Sequence, residues 1–165
     1  MQAGDCYQAA MNTKTAFPLS ARPGFLIRRL HQIHLSLFAE ECAAFEVTPV
    51  QYSILTAVAA RPGLEQVALA QEVGVDRATM ANVVARLAQR GLVRRVQCKQ
   101  DRRLKLVLPT PACTRLLEQM EDAARRAHER TIEALKPRER AAFIKALTYL
   151  VGANNAHGRA PLRIS

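Results

Sequence analysis

The chain has 165 residues, 49% of them hydrophobic, a formal net charge of +10 and a pI near 10.2. That length fits one domain, or one domain with helical extensions, and chains of this size often complete their core by dimerising. With no Trp and 5% aromatic residues, it lacks the stacking platform that single-strand nucleic-acid binding needs, and it has no apolar run of about eighteen residues to span a membrane.

Residues 1–23 mix small, polar and Pro residues without helical period and read as an arm. Asp5, with no early cationic cluster and no long apolar stretch, argues against a secretory signal. Gly24 to Phe45 is a predicted helix: Leu26, Leu30, Ile33 and Leu37 form an apolar stripe that Ile27, His34 and Phe38 widen. Thr48 caps the next helix with Pro49 at its first position. Val50, Ile54, Leu55 and Val58 are its inward face, and Arg61-Pro62-Gly63 stops it. Leu64 to Val73 reads as a short helix with Val67, Leu69 and Ala70 inward and Gly74 as its terminating glycine. Asp76 caps a longer helix whose apolar face is Met80, Val83, Val84 and Leu87, and Gly91 ends it.

Two helices joined by a short turn holding Gly74 are a helix-turn-helix signature. Leu92 to Gln97 and Leu104 to Leu108 then read as strands, with Lys99 to Arg103 as the polar turn between them. A helix-turn-helix followed by a basic hairpin is a winged helix. Beyond Pro109 and Pro111, Ala112 to Leu135 is a long helix with a stripe of Leu116, Met120, Ala123 and Ala127. Pro137 opens the last helix, with a stripe of Phe143, Leu147, Leu150 and Val151, and a short polar tail follows. The expected fold class is mainly α with a small β-hairpin wing.

Charge is gathered rather than spread. Between Asp76 and Lys105, nine cations (Arg77, Arg86, Arg90, Arg94, Arg95, Lys99, Arg102, Arg103, Lys105) face two acids, a net +7 of the chain's +10. A basic helix beside a basic ribbon is the electrostatic footprint of a nucleic-acid binder. The helix from Arg77 to Arg90 suits the major groove, and opposite its apolar face lie Arg77, Ala78, Thr79, Asn82 and Arg86. Arg77 is chemically suited to a guanine edge, Asn82 to an adenine edge, and Ala78 and Thr79 to a thymine methyl or a phosphate. Arg94, Arg95, Lys99 and Lys105 suit phosphates, which add affinity and salt dependence without sequence preference.

From Thr48 to Cys113 the chain resembles the MarR family of bacterial winged-helix transcriptional regulators. The resemblance rests on TPVQYSIL from Thr48, the stretch from Leu69 to Arg95 (LAQEVGVDRATMANVVARLAQRGLVRR), and QDRRLKLVLPTPA from Gln100. Asp101-Arg102-Arg103 matches the family's wing-tip motif, and Gly91-Leu92-Val93 its exit from the recognition helix. Cys113 departs from the pattern, which usually has Gly there. The resemblance covers roughly residues 25–153. It implies a homodimer on a palindromic operator in double-stranded DNA, with repression as the usual mode, and Asp101 bracing Arg103 as Arg102 and Arg103 approach the minor groove. The implied organisation is an arm over 1–23, a dimerisation helix over 24–47, a winged helix-turn-helix over 48–110, dimerisation helices over 111–153 and a tail over 154–165.

The resemblance also implies a small-molecule effector, often an aromatic carboxylate, bound between the dimerisation helices and the winged-helix lobe. Arg28, His31, His34 and Phe38 on the first helix, with Tyr52 and Ser53 on the second, are the candidate ligand contacts. Catabolism of nicotinate or hydroxybenzoate derivatives is the branch suggested. Redox sensing through Cys42 or Cys6 and effector-independent architectural binding are the alternatives. Glu40 and Glu41 have the wrong sign to activate Cys42. The four cysteines form no CxxC pair and no zinc spacing, which fits a reducing cytoplasm. An enzyme is disfavoured: GxGxxG, P-loop, GxSxG and HExxH motifs are all missing, no cofactor is implied, and His31 with His34 has no third metal ligand at helical spacing.

Overall fold

A computed structural model describes residues 18–98, 101, 103–158 and 160–162. The arm as far as Phe17, with Cys6, falls outside the described residues, as do Lys99 and Arg102 of the wing. The chain divides into two compact units, residues 1–33 and 34–165.

Among the described residues six helices and three short strands follow in order: α1 Pro23–Glu41, α2 Pro49–Ala60, β1 Leu64–Glu65, α3 Gln66–Val73, α4 Arg77–Gln89, β2 Val93–Gln97, β3 Lys105–Pro109, α5 Pro111–Ile132 and α6 Pro137–Ala153. Caps explain several of these boundaries. Thr48 and Gln51 form a reciprocal pair at the start of α2, with Gln51 N donating to Thr48 Oγ1 (3.3 Å) and Thr48 N donating to Gln51 Oε1 (3.0 Å). Thr110 caps α5, and Pro111 occupies the first turn where an amide hydrogen has no helical partner. Cys113 lies fully buried in that first turn, so its departure from the family glycine does not disturb the helix start.

Two expectations need correction. Leu64 and Glu65 are not helical: they pair antiparallel with Val107 and Leu106, so the wing is a three-stranded sheet in the order β1-β3-β2 rather than a bare hairpin. Strand pairing wins there because Gly63, at φ +86, turns the chain after α2 and donates its amide to Val107 O. The first helix stops at Glu41, and a 3-10 turn over Ala43–Phe45 leads to Glu46 at φ 52. Arg90 holds that left-handed turn, donating from Nη1 to Glu46 O (2.8 Å) and from Nη2 to Phe45 O (3.2 Å).

The core gathers Phe38, Ile54, Leu55, Val58, Leu69, Met80, Val84, Leu87, Val107, Cys113 and Met120, each almost wholly removed from solvent. It therefore lies beneath the helix-turn-helix and the base of the wing. By contrast, α6 buries none of its residues, and Ile144, Tyr149, Leu150 and Val151 remain exposed on it. Leu26, Ile27 and Ile33 of α1 are also about half exposed. Among the described residues no helix is long and apolar enough to cross a membrane.

Candidate nucleic-acid interface and cavity

The helix-turn-helix consists of α3, a turn at Gly74 and α4. Gly74 adopts φ 72 and donates its amide to Ala70 O, and Val75 N donates to the same carbonyl. Asp76 then opens α4. Its carboxylate accepts from Thr79 N at 2.9 Å and from the Thr79 hydroxyl at 2.6 Å. The hydroxyl bond first, and the amide bond second, hold the Asp76 carboxyl below its usual range.

The sides of α4 separate cleanly. Met80, Val84 and Leu87 are fully buried, while Arg77, Ala78, Thr79, Asn82 and Arg86 are exposed. All five helix residues expected to face DNA thus stand on the solvent side of one helix. The hydroxyl of Thr79 is committed to Asp76, which leaves its methyl group as the part suited to a base. Arg90, counted above among the basic residues of the segment, clamps the turn at Phe45 and Glu46 instead.

On the sheet, Arg94 and Arg95 of β2 and Lys105 of β3 are exposed. The register sets Gln97 opposite Lys105 and Arg95 opposite Val107, and Arg95, Gln97 and Lys105 line a groove of about 260 Å³. At the wing tip the Asp101 carboxylate meets the main chain of Arg103: Arg103 N donates to Asp101 Oδ1 at 2.9 Å. Leu104 N donates to Asp101 O at 3.0 Å and closes the turn. The Arg103 side chain is exposed.

A separate cavity of about 460 Å³ is lined by His34, Phe38, Tyr52 and Ser53, four of the six predicted ligand contacts. Arg28 and His31 belong to the other compact unit, where the Arg28 guanidinium lies over the Phe25 ring, 5.5 Å from its centre. Pro49, Thr56, Ala57, Ala60, Glu72, Val73 and His128 complete the lining, and sequence reasoning assigned none of them to a ligand. His128 stacks on His34 with ring centres 5.1 Å apart and planes at 19°. Phe38 tilts against both His34 and Tyr52, at 6.1 and 5.7 Å. The cavity thus presents a run of four rings.

Hydrogen-bond accounting fixes one proton. Thr131 donates its hydroxyl to Ala127 O (2.7 Å), so its oxygen accepts from His34 Nδ1 (2.9 Å), and Nδ1 of His34 carries hydrogen. Ser53 donates its hydroxyl to Pro49 O at 3.0 Å. Glu72 is paired with Arg61, which offsets its negative charge beside the cavity.

Below the cavity the end of α1 is tied to α5. Glu41 pairs with Arg126 (2.8 Å) and Arg130 (2.7 Å), and Glu40 with Arg130 (3.0 Å). The Arg126 bond, then the Arg130 bond, holds the Glu41 carboxyl below its usual range. Burial, reinforced by the Glu41 charge, pushes the Cys42 thiol up. A buried thiol kept protonated is poorly suited to peroxide sensing. Among the described residues no group of His, Cys, Asp and Glu is arranged to hold a metal.

Residues 47–105 match the profile of the MarR family. Over 128 residues the chain is 34% identical to a putative transcriptional regulatory protein for the hcr operon of Thauera aromatica, covering 77% of each. The chain belongs to the MarR family. It is a DNA-binding transcriptional regulator with a winged helix-turn-helix, not an enzyme. Two solved MarR-type regulators superpose on it closely. PcaV of Streptomyces coelicolor, solved with its natural ligand, has a TM-score of 0.75 and 34% identity, with 82% of this chain and 96% of PcaV covered. BpsR of Bordetella bronchiseptica, whose DNA binding is regulated by 6-hydroxynicotinic acid, has a TM-score of 0.77 and 29% identity, with 81% and 96% covered.

Proposed function

We propose that this MarR-family chain acts in the cytoplasm as a homodimeric repressor on a palindromic operator, and that a small aromatic carboxylate releases it. The observation that carries the DNA half is the amphipathic split of α4: its apolar residues are buried and its Arg77, Ala78, Thr79, Asn82 and Arg86 side is open. In this proposal α4 enters the major groove and the wing, with Arg102 and Arg103 at its tip, meets the neighbouring minor groove. A narrow minor groove concentrates negative potential and attracts arginine. Arg94, Arg95, Lys99 and Lys105 take phosphates, while Asp101 shapes the tip. Two copies related by a dyad address half-sites about one DNA turn apart.

The dimer is proposed to form through residues 24–47 and 111–153, where exposed apolar side chains of α1 and α6 await a partner. Residues 48–110 form the reading lobe, 1–23 an arm and 154–165 a tail.

The effector is proposed to occupy the cavity of His34, Phe38, Tyr52 and Ser53, with His128 and Thr56 added to the contact set. A volume of 460 Å³ suits a single-ring compound. Stacked rings offer faces to an aromatic body, and imidazole is the side chain whose charge adjusts near neutral pH to meet a carboxylate. Arg28 and His31, on the other compact unit, stay proposed contacts for the same ligand. Release follows if the compound favours a dimer whose two α4 helices no longer match the half-site spacing; equal affinity for both forms shifts nothing.

The test for the DNA half is Arg103→Ala. It should weaken operator binding by about 1–3 kcal/mol, roughly 5- to 150-fold, with the dimer still folded. Unchanged affinity in a gel-shift titration overturns the wing assignment. The effector half is tested by thermal shift with 6-hydroxynicotinic acid and hydroxybenzoates. A ligand at about 100 times its dissociation constant stabilises the native form by about 2.7 kcal/mol.

A further inference from the structure

The tail does not trail away. After α6 the chain makes a 3-10 turn over Asn155–His157 and folds back. Asn155 locks the return with both ends of its amide: Nδ2 donates to Leu162 O at 2.7 Å, and Leu162 N donates to Oδ1 at 2.7 Å. Both groups are partly buried. The Leu162 side chain comes to rest on Gly74, the turn of the helix-turn-helix, so closely that a Cβ on Gly74 would lie 2.8 Å from Leu162 Cδ2. The carbonyl of Ala160 lies 4.0 Å from that same point.

This contact matters because of what it connects. At its start α6 is pinned by Arg140, which donates from Nε to Leu135 O (3.0 Å) and from Nη2 to Glu133 O (3.0 Å). Between its ends it buries nothing and shows a bare apolar face. At its far end Leu162, held by Asn155, seats on the turn that opens α4. Gly74 also follows directly on Glu72 and Val73, which line the cavity.

We propose that Leu162 is a positioning residue: the strap ties the last helix to the helix-turn-helix and fixes the angle at which α4 is offered to DNA. The proposal rests on the palindromic-dimer reading above, since a fixed angle matters most when two α4 helices must match one spacing. A single Leu side chain held by one Asn-closed loop suffices, because a small rotation about Gly74 moves the far end of α4 by much more than the contact itself.

The experiment uses the full chain and a palindromic duplex that the wild-type chain selects from a random pool. Its affinity is measured for that duplex and for one whose half-sites are one base pair further apart. Wild type should favour the selected spacing by about tenfold or more, as a dimer reading two rigidly spaced sites does. Leu162→Ala should remain dimeric, melt within about 4 °C of wild type as expected for a partly buried side chain, and lose most of that preference. Leu162→Met should recover it. Hydrogen exchange at the Gly74 and Val75 amides, both bonded to Ala70 O, should speed up in Leu162→Ala without DNA. Full spacing preference in Leu162→Ala, or a uniform loss of affinity for both duplexes, overturns the proposal. Asn155→Ala is the second variant and should act in the same direction. If wild type itself ignores the spacing, the palindromic-dimer reading fails, and the strap role with it.

Discussion

Arg90 separates two physical roles that composition alone cannot distinguish. It is one of nine cations between Asp76 and Lys105, and charge alone would let it serve as a phosphate contact. A dimer losing one phosphate contact per protomer should see the slope of log K against log salt shrink by about 1.8, from roughly 0.9 per contact. The structure commits it elsewhere, with its guanidinium on Glu46 O and Phe45 O. Two exposed hydrogen bonds of this kind are worth about 1–2 kcal/mol together, because water competes for both carbonyls. Glu46 sits at φ 52 and needs that support more than an ordinary turn does. Arg90→Ala should therefore lower the urea midpoint with an unchanged m-value, and lower Tm by about 2–8 °C for a chain of this size. The salt slope of operator binding, measured by gel shift from about 50 to 200 mM salt, should stay at the wild-type value. Arg86→Ala, from the open side of α4, should do the reverse: a shallower slope and little change in stability. Wild-type stability with a reduced slope for Arg90→Ala would refute the clamp.

Asp76→Ala should lower Tm at neutral pH by removing the cap of α4. The Asp76 carboxyl is depressed in the folded chain, so its contribution is complete above the unfolded value of about 3.9 and disappears as pH falls through the folded value. The gap between variant and wild type should accordingly close in acid, and a gap that widens there would contradict the assignment. Asn82→Ala should relax preference at one base of each half-site, at a cost of about 1–3 kcal/mol for the preferred base; an equal loss on all sequences would mark a backbone contact. His128→Ala should weaken binding of 6-hydroxynicotinic acid or another hit from the thermal-shift screen roughly 3- to 10-fold, the worth of one stacked ring pair. Unchanged calorimetric affinity would remove His128 from the contact set.

Local signals were legible from sequence because they act over a few residues. Thr48, Pro49, Asp76, Gly74 and Gly91 each mark a boundary through their own chemistry, and the structure keeps every one of those boundaries. Helical period placed Met80, Val84 and Leu87 inward and His34 beside Phe38. What escaped depends on contacts between distant segments. The strand at Leu64–Glu65 exists only because β3 pairs with it. His128 reaches the cavity from α5, and His34 meets Thr131 across 97 positions of sequence. Arg90 counted toward the basic segment until its bonds to Phe45 and Glu46 were visible, and the commitment of the Thr79 hydroxyl to Asp76 was equally hidden. Nothing in the polar composition of the tail signals that Leu162 settles on Gly74.

Hydroxyl-radical footprinting on a duplex containing the chain's preferred site tests most directly whether two α4 helices and two wings read DNA together. Two protected patches related by a dyad and centred about one helical turn apart, with minor-groove protection just outside each from the wings, are the expected pattern. Protection spread evenly along the duplex, or a single unpaired patch, would contradict it.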